Sequence, residues 1–316
     1  MRKLKKDWIS YGICSLLLVL LCSLMSACNT GTDKAESQES EDSSQLTEES
    51  GKTAVEADWQ NEESQLVMDH AEEEEAREEE AKMVSFTVEP GEYVSRITER
   101  LAEEGYAESA EELIQMLESM DRSKFVYWSQ MENADSRAFA AEGYIAPGTY
   151  TWKEGAEAEE ILLILMGSWD AVITDEMAEN AKNQGYSVDQ ILIMASIVEW
   201  ESSFDPNQIV KPQVAAVVRN RIESDTALQM DVTVFYLQQA LWPYRDPDLY
   251  EEAYDTYIRS TLPAGPIGSP SLESIQAVLN PADTQDLFFV YDEEGRYYFA
   301  EDYEQHLQNC ELAGII

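Results

Sequence analysis

The sequence predicts an α+β fold: a small βαα module, then a larger domain of helices and a hairpin, the whole preceded by a disordered acidic tether. Three observations lead there. The stretch "VSFTVEP" (84–90) alternates like a strand and is followed by two segments of helical period. Long helical stretches from residue 156 onward give way to "DLFFVYDEEGRYYFAE" (286–301). Its two apolar runs around a Glu-Glu-Gly turn read as a hairpin. Between Asp33 and Lys82 the chain carries 19 Asp and Glu against 4 Lys and Arg, with few large apolar side chains, so no core can form there.

The first 28 residues stand apart. "MRKLKKDW" is a basic start, "ISYGICSLLLVLLCSLM" an apolar run, and "SAC" sets two small residues before Cys28. This is the pattern of a secretory signal. It resembles a bacterial lipoprotein signal, in which Cys28 would carry the lipid. The alternative is an uncleaved membrane helix, since Trp8 to Ala27 matches the ~20 residues a span needs. Both place the rest outside the cytoplasm, anchored at the outer face of the membrane. Residues 29–82 then form the acidic linker, a self-repelling chain whose ~50 residues reach ~40 Å or more.

Residues 83–140 are expected to form the βαα module. After the strand, Pro90-Gly91 turns the chain, and Val94, Ile97 and Leu101 recur at helical spacing up to Gly105. Ser109 with Glu112 opens a second helix in a capping-box pattern. This order suits a small glycan-binding module of LysM-like type, and equally a generic α+β cap. Residues 141–316 follow as the second domain. "EGYIAPGTYTW" (142–152) reads as loop and strand. "AEAEEILLILMGSWDAVITDEMAENAKNQ" and "SVDQILIMASIVEWESS" read as two long helical stretches separated by Gly185, with Ser187 and Gln190 as a capping box, and "PQVAAVVRNRIES" as a third helix.

Composition excludes several classes of function. The 316 residues carry a net charge of −42, which repels nucleic acid. The segment 83–316 alone carries 43 Asp and Glu against 13 Lys and Arg. Only Cys310 lies outside the N-terminal 28 residues, so no internal disulfide framework is expected. The two histidines, His70 and His306, are too few for a typical zinc site, and no metal is expected. No GxGxxG, GxxxxGK or GxSxG segment signals a cofactor or a nucleophile elbow.

The chemistry concentrates in "IMASIVEWESSFDP" (193–206), where Glu199 and Glu201 follow an apolar run. On a helix they point ~200° apart, so they cannot share one cleft as an acid–nucleophile pair. Glu201 shares a face with Met194, Ile197 and Val198 and sits in the last turn, because Pro206 stops the helix. Apolar neighbours and the negative end of the helix dipole both raise its pKa, as a general acid requires. Ser202 is placed to orient it. Glu199 faces the side of Leu192, Ala195 and Ser196, where an arginine such as Arg221 is the expected partner. The plainer alternative is two surface glutamates at a fraying helix end.

Several segments in order resemble the endolytic murein transglycosylases of the YceG-like family. "ILIMASIVEWESSF" is similar to the family's signature helix, and "VAAVVRNRI" to its Asn-Arg-Leu helix. "LQMDVTVFY", "AYDTYIRSTLPAGPIGSPSLESIQAVLNP", "EGYIAPGTY" and the hairpin ending at His306 resemble its remaining motifs. The resemblance covers roughly 83–310. Trp200 stands where the family usually has a basic residue, Asp255 for Asn, Gly148 for Asp, and Ser271 for a frequent Gly. The loop from Ser202 to Lys211 is also longer than usual. At Asp255 an amide donor becomes acceptor-only.

The resemblance implies a mixed α/β transglycosylase domain that cuts the MurNAc–GlcNAc β-1,4 bond within nascent peptidoglycan strands. It does so without water and leaves 1,6-anhydro-MurNAc ends. Glu201 matches the catalytic glutamate. Asn220, Gln229 and Asp231 would bond sugar hydroxyls and N-acetyl groups, and Tyr236 and Tyr257 would stack on pyranose faces or orient Glu201. "LPAGPIGSP" would be a rigid cleft wall; on composition alone it is a connecting loop. Tyr297, Tyr298 and Phe299 are expected as hairpin packing. No cofactor is implied, and the implied partners are peptidoglycan and the wall-synthesis machinery. A non-catalytic peptidoglycan-binding protein, or a scaffold on the same fold, is the alternative.

Overall fold

The computed structural model describes residues 82–316, apart from Pro206 and Gln208. The expected anchor at Cys28 and the acidic linker up to residue 81 lie outside the described residues.

Strand β1 (Met83–Val88) buries Phe86 and Val88 on one face, as its alternation requires. Helix α1 (Val94–Glu103) buries Val94, Ile97 and Leu101, and α2 (Ala110–Ser119) starts where the Ser109 side chain accepts from the Glu112 N–H at 3.3 Å. The partner of β1 is β2 (Gly148–Lys153), antiparallel, with Met83 opposite Lys153 and Val88 opposite Gly148. This two-stranded sheet therefore crosses the 140/141 boundary drawn from the sequence. An isolated β1 would leave its backbone groups unpaired, and β2 supplies both those bonds and Trp152, which packs on Phe86.

The stretch 156–184 is not one long helix. It divides into α3 (Ala158–Met166), α4 (Ser168–Val172) and α5 (Asp175–Asn183). Gly167 caps the first, and the Thr174 hydroxyl starts the last by accepting from the Met177 N–H at 3.2 Å. Apolar periodicity does not register such breaks; small and capping residues do.

Helix α6 (Val188–Glu201) is the axis of the domain. Its N-terminus carries the expected reciprocal capping box, Ser187 with Gln190, at 3.2 and 3.0 Å. Twelve of its fourteen residues are buried, so neighbours surround it on all sides. They include α7 (Lys211–Glu223), α8 (Asp231–Gln239) and α10 (Leu272–Leu279), the short α9 (Glu251–Tyr254) packing on α8. Its one buried charge near the start, Asp189, is held by Arg137 at 2.7 Å and by the Tyr144 hydroxyl at 2.5 Å. The hairpin β3 (Phe288–Tyr291) and β4 (Tyr297–Ala300) and the terminal α11 (Tyr303–Leu312) complete the chain.

The βαα segment is fused to this axis. Its apolar residues and those of α6 belong to one continuous core. Gly91 N–H donates to Ser269 O at 2.7 Å, and Ser269 N–H returns to Glu92 O at 2.9 Å. Trp200 stacks on Tyr93 with centroids 5.3 Å apart and planes at 11°. A Cβ on Gly268 would stand 2.7 Å from Gly91 O and 3.0 Å from the Trp200 indole nitrogen, so glycine alone fits there.

Candidate active site

Glu201 is the last residue of α6 and is 9% exposed. Burial raises its pKa to about 8, and the nearby Asp231 carboxylate adds to that rise. The Arg221 guanidinium and the Val232 backbone N–H pull the other way without reversing it. Glu201 makes no ion pair among the described residues, and its burial favours the neutral form. Its main-chain oxygen accepts from the Tyr297 hydroxyl at 2.6 Å, which ties the helix end to β4.

Glu199, two residues earlier, is in the opposite state. Burial alone would raise it, but bonds from Ser271 and Ser274 and the Lys211 ammonium outweigh burial and hold it below the ordinary range. Lys211 Nζ reaches both carboxylate oxygens at 3.1 Å, Ser274 donates at 2.6 Å, the Ser271 N–H at 2.9 Å, and the Ser271 hydroxyl donates as well. The expected arginine partner is thus a lysine. Arg221 instead donates to the backbone carbonyls of Leu228 and Leu287, the latter at 2.6 Å, and lies near Glu201. Ser271 is one of the groups that keeps Glu199 charged, and it also caps α10.

The other expected residues divide into two groups. Asp231 begins α8, exposed, and accepts from the Tyr257 hydroxyl at 2.7 Å. Tyr257 is 40% exposed, and its N–H donates to Asp255 Oδ1 at 2.8 Å. Gln229 is exposed in a left-handed backbone (φ 47°), with its N–H on Thr256 O at 3.1 Å. The buried Thr256 hydroxyl takes the Met230 N–H at 2.9 Å. The two segments 229–231 and 255–257 are stitched together beside Glu201.

The second group is structural. Ser202 does not orient Glu201; its hydroxyl caps the helix through Val198 O at 2.6 Å. Asn220 spends its amide on Thr284 O and Asp286 O at 2.9 and 3.0 Å, holding the approach to the hairpin. Tyr236 is fully buried between Tyr254 and Tyr93 and has no face for a sugar. Trp200 is a packing residue against Tyr93.

Glu142 escaped sequence reasoning. It is fully buried, raised to about 8 by burial, and accepts the Val94 N–H at 3.1 Å, which caps α1 from a distance. The signal was present: a lone carboxylate inside the apolar run "AFAAEGYIA", the same pattern that singled out Glu201. Surface cavities of about 530 and 510 Å³ lie elsewhere, one along Glu157 to Ile164 and the other between Glu176 and Glu273; neither is lined by Glu201. No cluster of three or more His, Cys, Asp or Glu suited to a metal occurs among the described residues. Nor is any described helix long and apolar enough to cross a membrane.

The end of α6 thus carries a buried carboxyl raised by burial, with the Asp231 carboxylate in electrostatic reach. Residues 41–312 match the sequence model of the YceG-like family, and the chain belongs to that family. It is 29% identical over 181 residues to an endolytic murein transglycosylase of Streptococcus pneumoniae, covering 54% of this chain and 32% of the relative. An endolytic murein transglycosylase of Bacillus subtilis is 29% identical over 171 residues, 52% of this chain and 46% of that one. The matched part thus spans a third to a half of those relatives. The crystal structure of a YceG-like protein from Listeria monocytogenes is similar over 71% of this chain and 75% of that one, with a TM-score of 0.60 and 25% identity.

Proposed function

We propose that the protein is an endolytic peptidoglycan lytic transglycosylase with Glu201 as its general acid and base. The observation that carries this reading is the Glu201 carboxyl, raised to about 8 by burial and lacking an ion-pair partner among the described residues. In the reaction Glu201 protonates the glycosidic oxygen as the C1–O bond breaks, and the leaving GlcNAc departs with its 4-hydroxyl restored. The 6-hydroxyl of the same MurNAc attacks C1, and its proton returns to the Glu201 carboxylate. The product is a 1,6-anhydro ring. The nucleophile is intramolecular, so no second carboxylate is needed to activate water. Asp231 faces the charge that develops at C1, held in place by Tyr257.

On this reading the segment 83–140, completed by β2 across the 140/141 boundary, acts as a LysM-like glycan-binding element fused to the catalytic part. Residues 1–28 anchor the chain, through Cys28, at the outer face of the membrane, and residues 29–82 are the tether. Digestion of uncrosslinked glycan strands tests the activity. Anhydro-ended products are expected from the wild type and not from Glu201→Gln. Binding without products from either would favour a non-catalytic peptidoglycan-binding protein.

A further inference from the structure

The loop leaving Glu201 carries an aromatic side chain that the mechanism above does not use. Phe204 stacks on Tyr291 of β3 with ring centroids 4.6 Å apart and planes at 18°. Phe204 nevertheless stays 38% exposed, so part of its ring meets solvent. Tyr291 packs on Tyr297 at 5.2 Å, and Tyr297 donates to the Glu201 main-chain oxygen. The stack, the hairpin and the catalytic turn are therefore one construction.

The hairpin does not depend on Phe204 for its own packing. Phe289 already pairs with Phe299 and Tyr297, and Tyr297 with Phe299. Leaving an aromatic face in water forgoes about 25 cal/mol for each Å² that burial would remove. The surroundings identify the occupant. Tyr291, on which Phe204 stacks, lies within electrostatic reach of both Glu201 and Asp231, so the stack stands near two carboxyl groups. A flat apolar surface edged by hydrogen-bond acceptors fits a ring with C–H faces and a hydroxyl rim. A β-1,4-linked pyranose has that character, its substituents lying in the plane and its axial hydrogens on the faces. An anionic nucleic acid base stack is disfavoured by the net charge of −42.

We propose that Phe204, backed by Tyr291, is a stacking surface for a pyranose ring of the glycan strand next to the bond that Glu201 protonates. The proposal rests on the function argued above. It makes Phe204 a substrate-binding residue on the loop that leaves Glu201.

The test compares Phe204→Leu and Phe204→Tyr with the wild type on uncrosslinked glycan strands, with melting temperature measured alongside. Leucine keeps apolar volume but has no ring face. Phe204→Leu is expected to melt as the wild type does and to raise KM about tenfold, the scale of one aromatic stacking contact. The loss should fall on KM rather than kcat, and tyrosine should restore it. An unchanged KM for Phe204→Leu, with the wild type cleaving normally, overturns the stacking surface and leaves the enzymatic reading intact. A lowered melting temperature and kcat that tyrosine does not rescue also overturns it, and makes Phe204 a pin for the hairpin. If the wild type yields no anhydro ends, the enzymatic reading fails, and strand binding decides the matter. Weaker binding by Glu201→Gln/Phe204→Leu than by Glu201→Gln then supports the surface, and equal binding or none overturns it.

Discussion

Replacing Glu201 with glutamine should make the protein more stable at neutral pH and should not do so in acid. In the fold the carboxyl titrates at about 8, whereas an unfolded glutamate titrates at its ordinary 4.5. Between those values the folded state holds a proton that the unfolded state has released, so stability falls as pH rises. The advantage of the neutral carboxyl is complete below 4.5, declines through the window, and is gone above about 8. At pH 7 the chain has crossed some two and a half pH units of that window, at about 1.4 kcal/mol each, which costs it ~3 kcal/mol. Glutamine carries no such cost, and its carbonyl oxygen can accept from the Val232 N–H as the carboxyl does. Glu201→Gln should therefore gain about 3 kcal/mol at pH 7, or ~6–12 °C in melting temperature for a domain of this size. Urea denaturation of both proteins from pH 4 to 9 measures the gap, and taking the difference cancels the parallel slope from Glu142. A gap that is the same at pH 4 and pH 7.5, or a wild type more stable at pH 7, would refute the buried neutral acid.

Three other outcomes are expected. Lys211→Met strips the cation from the buried Glu199 and should cost about 3–5 kcal/mol in urea unfolding; a loss below 1 kcal/mol would mean Glu199 is not charged. On the proposed mechanism cleavage depends on the protonated acid, so kcat/KM should fall tenfold per pH unit above about 8. Asp231→Asn should move that fall to lower pH, because the Asp231 charge raises Glu201; a fall that stays in place would remove Asp231 from the electrostatics. Asp255→Asn should leave cleavage within about twofold, since Asp255 uses only an acceptor oxygen toward the Tyr257 N–H and an amide oxygen accepts equally well. A large gain in activity would show that the carboxylate hinders the site.

What was legible in the sequence follows from physics that is local. The capping box at Ser187, the helix ending at Glu201 and the hairpin at 288–300 depend on neighbours a few residues apart, and they stand as expected. The opposite facing of the two glutamates follows from helix geometry alone. Partner identity is not local. Glu199 is satisfied by Lys211, Ser271 and Ser274, twelve to seventy-five residues away, and spacing on α6 cannot choose between a lysine and an arginine. The partition of tyrosines depends on depth in the same way. Tyr236 is sealed while Tyr257 reaches the surface, and the motif that contains each says nothing of its burial. Where β1 finds its partner is likewise decided by a strand sixty residues on.

The hydroxyl of Tyr297 that meets the end of α6 comes ninety-six residues after it in the chain. The other groups that set the Glu201 environment, at 221, 231, 257 and 291, are also downstream. The burial that raises Glu201 is thus assembled from segments far along the chain, and α6 alone would leave position 201 an ordinary glutamate. The raised carboxyl is therefore a property of the closed fold and not of helix α6 by itself.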